Sequence, residues 1–289
     1  AEFRQSSPDL IGGLLQQPIQ GSVELNTQDL RLISLLTNQA VIPSGNVHGK
    51  WTITGPPLTL NLVGQMDLID GKADIPALGI TLAPLHLAIK GNATTVELAA
   101  SAKSGEGELK ATSTIALAQA AQRTFQVHLN GDNFQAVHLP SLDLTLSPEL
   151  IFTAAPKQME LRGKIHIPHA KIASIDFDTA TAPSADVVFI DEEQHETADV
   201  AVPIDMALTI IAGKDVAIDA HGLRGNITGQ LDVAAQPGRP PTGNGTLAVN
   251  NGSFSLYGNR LAIDVGRLLY SGGALTNPGI ELRSEQKTD

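Results

Sequence analysis

The sequence predicts an all-β fold: an elongated antiparallel sheet that, curled on itself, leaves an apolar trough. Three observations predict it. Aliphatic residues alternate with polar ones at period two along most of the 289 residues. Turn dipeptides separate the runs, often every 8 to 15 residues. Aromatic residues make up only 3% of the chain, so few large side chains are available to fill the space between two packed layers.

The elements follow in order. Near the N-terminus Thr27-Gln28-Asp29 precedes Leu30, Leu32, Ile33, Leu35 and Leu36, with Asn38 placed to end the segment. This predicts one short helix, capped by the Thr or Asp side chain, and covering the end of a sheet. Strand patterns then take over. Leu58, Leu60 and Leu62 form one run, and Leu85, Leu87 and Ile89 the next. They are followed by Ile115 and Leu117; Phe125, Val127 and Leu129; Leu142, Leu144 and Leu146; and Met159, Leu161, Ile165 and Ile167. The second half continues with Ile204 to Ile210, Val216 and Ile218, Leu231 and Val233, Leu247 and Val249, Phe254 and Leu256, and Leu261 to Val265. Because strand side chains point alternately to opposite faces, each run presents one apolar and one polar face.

Turns are expected at Gly55-Pro56-Pro57, Asp70-Gly71, Lys90-Gly91-Asn92, Asn130-Gly131-Asp132, Pro237-Gly238, Asn250-Asn251-Gly252 and Ser271-Gly272-Gly273. Ser101 to Glu108 reads as a hairpin tip, Phe189 to Asp199 as an exposed acidic loop, and Ala234 to Asn244 as a Pro/Gly-rich loop. None divides the chain, so residues 1–289 read as one continuous sheet, with sub-segments 18–122 and 123–289 as a finer division.

Composition narrows the function. A net charge of −11 argues against nucleic acid and against broad docking on anionic headgroups. The absence of cysteine excludes disulfides, thiolate metal sites and cysteine nucleophiles. No apolar stretch is long enough for a membrane-spanning helix, and Ala1 to Gln17 lacks a basic-then-apolar leader. The expectation is a soluble chain, or part of a longer protein whose targeting segment lies elsewhere.

A search for chemistry returns little. The eight histidines are scattered, mostly at polar positions of the runs. His166 and His169, three apart on a regular strand, are expected on opposite faces. The loop around His195 lacks the DxDxDG and HExxH spacings of calcium and zinc sites. Asp176 and Asp178 flank Phe177, but paired carboxylates alone do not make a hydrolase. No GxSxG, Walker loop or GxGxxG element occurs. No enzymatic activity, metal or cofactor is expected. The apolar stripe itself has a plain alternative reading, the closed core of a sandwich.

Three segments carry a family resemblance. Gly245 to Gln286 (GTLAVNNGSFSLYGNRLAIDVGRLLYSGGALTNPGIELRSEQ) holds a G-x-L-x-[FY]-x-G block at Gly266, Leu268, Tyr270 and Gly272. It is followed by Asn277, Pro278, Ile280 and Leu282. LRGKIHIPHAKI, Leu161 to Ile172, precedes SADVVFID, Ser184 to Asp191. The third segment runs from Gly21 and includes GQMDLIDGKADIPALGITLAPLHLAIKG. Together they resemble the C-terminal domain of the TamB family, an AsmA-like group, over most of Gly21 to Gln286. The family domain continues into further strands, so the final sheet edge is expected beyond Asp289.

The resemblance implies a taco-like trough in the periplasm, held to the inner membrane by an N-terminal anchor outside this chain. It implies a TamA-like outer-membrane barrel protein as partner. The implied work is phospholipid transport between inner and outer membranes in support of outer-membrane biogenesis; the alternative is a scaffold or chaperone that assists barrel assembly by strand pairing. The candidate lipid-facing groove is the alternating set Leu60, Leu62, Leu87, Ile89, Val127, Leu129, Leu144, Leu146, Ile165, Ile167, Leu208, Ile210, Leu231, Val249 and Ile263.

Overall fold

The computed structural model describes residues 17–30, 41–56, 61–117, 124–156, 158–173, 204–220, 222–256 and 259–285. Fifteen strands account for nearly all of them. They are β1 (Ile19–Asp29), β2 (Val41–Gly55), β3 (Asn61–Ile75), β4 (Ile80–Asn92) and β5 (Thr95–Ser104). Next come β6 (Gly107–Ala116), β7 (Phe125–Asp132), β8 (Phe134–Leu139), β9 (Leu142–Ala155) and β10 (Gln158–Ala173). The last five are β11 (Ile204–Ala220), β12 (Leu223–Ala235), β13 (Thr242–Leu256), β14 (Asn259–Ala274) and β15 (Gly279–Glu285). Sequence neighbours are spatial neighbours throughout, in one sheet ordered β1 to β7 and then β9 to β15. β8 pairs with β9 off this path. Among the described residues β1 and β15 pair on one side only, so the sheet is open.

The expected meander holds with one correction. Every pairing is antiparallel except β10 with β11, where Met159 lies opposite Ile204 and Ala173 opposite Asp219. Antiparallel neighbours need only a tight turn, whereas parallel ones need a return to the starting end. Residues 174–203 separate these two strands, a length no hairpin requires.

No helix occurs among the described residues, and the N-terminal expectation is corrected in part. Thr27, Gln28 and Asp29 are the last rungs of β1, with Thr27 opposite Val47 and Asp29 opposite Ser44. The alternation of Gly21, Val23, Leu25 and Thr27 with Ser22, Glu24 and Asn26 continues a ladder, and the ladder takes the backbone groups a cap would have served. Leu30, 4% exposed, follows β1, and residues 31–40 lie outside the described residues.

Several expected turns are instead bulges inside strands. Asp70, at φ +52°, lies within β3, where the register jumps from Leu68–Leu87 to Gly71–Leu85. Asn251, at φ +51°, lies within β13, where pairing passes from Val249–Gly266 to Gly252–Ile263. An Asx-Gly pair offers positive φ to either a hairpin or a bulge, and only pairing partners decide between them. Pro168 sits in another bulge. It has no N–H for a central strand, and β10 takes three steps from His166 to His169 while β9 takes two from Ser147 to Thr145.

For orientation, the upper rim carries the turns joining β4 to β5, β9 to β10 and β12 to β13. The lower rim carries those joining β3 to β4 and β5 to β6. β8 runs along the lower rim past the ends of β4, β5 and β6. The His138 N–H donates to the Leu78 carbonyl at 2.8 Å. Gly107 is obligatory there, since a Cβ on it would sit 2.0 Å from the Asn133 carbonyl oxygen.

A candidate apolar functional surface

Register turns separate apolar runs into one surface, because residues directly opposite each other share a face. One line crosses twelve strands: Thr27, Val47, Leu68, Leu87, Ala100, Ala111, Leu129, Leu150, Gly163, Leu208, Val233 and Gly243. The next line towards the upper rim runs Leu25, Gly49, Met66, Ile89, Leu98, Ser113, Val127, Phe152, Leu161, Met206 and Ala235. Towards the lower rim, Pro148, Ile165, Ile210, Leu231, Gly245 and Tyr270 line up across β9 to β14. None of these positions carries a charge.

Fourteen of the fifteen residues singled out from sequence lie on this face; Leu60 lies outside the described residues. Leu62, Leu87, Ile89, Val127, Leu129, Leu144, Leu146, Ile165, Ile167, Ile210 and Val249 are half-buried. Leu208, Leu231 and Ile263 are buried, each 8% exposed. A closed sandwich core would bury the inward positions as a class, whereas most of these keep partial access to solvent. At the sheet's two edges the same face is more open: Val23 is 55% exposed, Leu282 58% and Ile280 72%.

Sequence reasoning missed much of the surface. Val23, Leu25, Trp51, Met66, Leu68, Leu98, Leu150 and Phe152 belong to it, and GSVELNT and KWTITG already alternate correctly. Ala100 and Ala111, opposite each other on β5 and β6, gave no signal because alanine marks neither face. Trp51 lies against the floor of the sheet: a Cβ on Gly91 would come 2.3 Å from its Cζ3.

The opposite face is mostly polar, with Val63, Ile69, Ile151 and Leu269 exposed among its polar residues, and is laced with cross-strand ion pairs. Lys50 meets Glu24 at 3.4 Å, Arg162 meets Asp205 at 2.8 Å and Arg267 meets Glu281 at 3.2 Å. The Arg224 guanidinium donates to the Asp219 carboxylate at 2.8 Å, and that bond and the carboxylate charge raise the arginine pKa above its usual value. The bulge at Pro168 corrects the histidine expectation: His166 and His169 share the polar face, opposite Ser147 and Thr145. His169 Nδ1 lies 2.7 Å from Asp215, in an exposed pair. Among the described residues no group of three or more His, Asp or Glu is placed to hold a metal. Asp176, Asp178 and the acidic loop around His195 lie outside them. Shallow hollows occur over this face; the one between β4 and β7, about 420 Å³, is lined by Lys90, Glu97, Thr112 and His128 among others. Most of the lining comes from the polar side of these strands, and Leu98 and Ser113 of the apolar lines also contribute to it.

The TamB C-terminal domain model matches residues 97–289, from within β5 through β15. The chain belongs to the TamB C-terminal domain family. A relative of the same kind is the translocation and assembly module subunit TamB of Haemophilus influenzae, 25% identical over 279 residues. That match covers 91% of this chain and 21% of the relative, so the chain spans about a fifth of the relative's length. The TamB match includes the Gly266-to-Gly272 block, which contributes Gly266, Leu268 and Tyr270 to the apolar face of β14. No helix among the described residues is long and apolar enough to cross a membrane.

Proposed function

We propose that this TamB-family segment is a non-enzymatic part of a translocation and assembly module, and that its apolar face carries phospholipid acyl chains. In this reading the sheet curls into a trough, the chains lie inside it, and the headgroups stay in water. The observation that carries the reading is the uncharged surface running from β1 to β13 with most of its side chains half-buried. Each CH₂ moved from hydrocarbon to water costs about 0.8 kcal/mol, so a chain of ~16 carbons faces roughly 13 kcal/mol. A continuous aliphatic lining removes most of that barrier, and uniform contacts let the chain slide. The sheet path of β1 to β15 has about 13 inter-strand steps of ~4.8 Å, hence ~62 Å, part of the way across an envelope. The full protein would be anchored in the inner membrane and would meet a TamA-like barrel at the outer one.

Photo-crosslinking in the full-length protein tests this. A photoreactive residue at Leu87, Leu129 or Ile210 should label phospholipid, and one at Thr112 or Thr246 on the polar face should not. Labelling from the polar positions alone would sink the reading.

A second reading has its own support in the open edges. Among the described residues β1 and β15 pair on one side only, beside exposed Val23 and Ile280, which suits them as a template for a client strand. Solvent extraction of the purified chain separates the two: co-purifying phospholipid favours transport, and its absence favours a scaffold alone.

A further inference from the structure

We infer that the carried lipid lies with its oxygen-bearing end along the upper rim, where Trp51 donates a hydrogen bond to its ester or phosphate oxygens. The inference rests on the lipid-carrying reading above and adds an orientation and a positioning residue to it.

Burial across the apolar face is lopsided. In two lines of the upper side, through Trp51 and through Met66, Ser113 is the one buried residue between β2 and β11. Its hydroxyl donates to the Gln126 carbonyl at 2.6 Å. On the lower side Ala73, Ile80, Ser104, Phe134, Ala170 and Val216 are all 8% exposed or less. β8 accounts for part of this closure, since it crosses the lower ends of β4, β5 and β6 and Phe134 lies on it. A chain end without polar atoms suits the closed side, and the group that must keep its hydration suits the open one.

Trp51 stands on the open side, four residues from the upper end of β2 at Gly55. Its ring lies over glycine, since a Cβ on Gly91 would meet it at 2.3 Å. Trp51 is half-buried, and its indole N–H has no hydrogen-bond partner among the described residues. A ring on apolar surface with a free donor at its edge fits a boundary that is dry on one side and wet on the other. The ester and phosphate oxygens of an acyl lipid supply acceptors at that level.

The chain's single tryptophan makes the test direct, because its emission reads one site. The protein is loaded with phosphatidylcholine brominated near the glycerol, at mid-chain or near the methyl end, and retained lipid is quantified. Quenching of Trp51 should be greatest for the glycerol-proximal bromines and least for the methyl-end ones. Lipid retained with equal quenching, reversed order or none at all overturns the orientation while leaving transport intact. Failure to retain any lipid overturns the transport reading itself, and the orientation with it.

Discussion

Gly91 has no side chain because Trp51 occupies the space one would need. Gly91→Val would drive a methyl group into the ring and into the Leu62 carbonyl, 2.5 Å from a Cβ there. Overpacking of this kind costs about 1–3 kcal/mol; the expected outcome is a lower urea midpoint together with red-shifted tryptophan emission as the ring is lifted into water. Leu129 poses a functional question instead. It is half-buried in the longest apolar line, so Leu129→Asp should leave the sheet folded by circular dichroism while co-purified phospholipid falls sharply. Thr246→Asp, exposed on the polar face, should leave the lipid content unchanged. Leu208→Asp is a poorer probe, because at 8% exposure it adds a buried charge and unfolding would mask any effect on transport.

At the scale of strands, alternation in the sequence revealed which residues share a face within a run but not which runs meet. Leu144 and Leu146 were legible as partners on one side of β9, while their alignment with Val137 and Phe134 on β8 needed the register. Bulges were the main source of error. Asp70-Gly71 and Asn250-Asn251-Gly252 carry the chemistry of a tight turn, and Pro168 gives no sign from sequence alone of whether it ends a strand or kinks it. The parallel pairing of β10 and β11 was illegible for a related reason, since direction is set by the connection rather than by strand composition. The strength of register yields a prediction. One alanine inserted between Leu150 and Ile151 would turn half of β9 inside out; limited proteolysis should then cut within the sheet. The same insertion after Gly238, in the exposed β12–β13 loop, should leave the digestion pattern as it is in the parent.

For the molecule as a whole, hydrophobic surface left partly open in the native state has a solution signature. The folded chain should enhance the fluorescence of an apolar dye such as ANS without denaturant, and added phospholipid should displace the dye in competition. A native chain silent to the dye would indicate a face closed against itself. Salt should matter little, because the ion pairs lie on the exposed polar face and such pairs each contribute only about 0–1 kcal/mol. The parallel step between β10 and β11 also sets the polarity of both margins. With strict alternation the first and last of fourteen successive strands would point oppositely, but the one repeated direction makes β1 and β15 both descend from the upper rim to the lower. Two such sheets laid margin to margin without rotation would therefore meet head-with-head in a parallel join. An ascending strand from any other protein would find the same antiparallel invitation at either side.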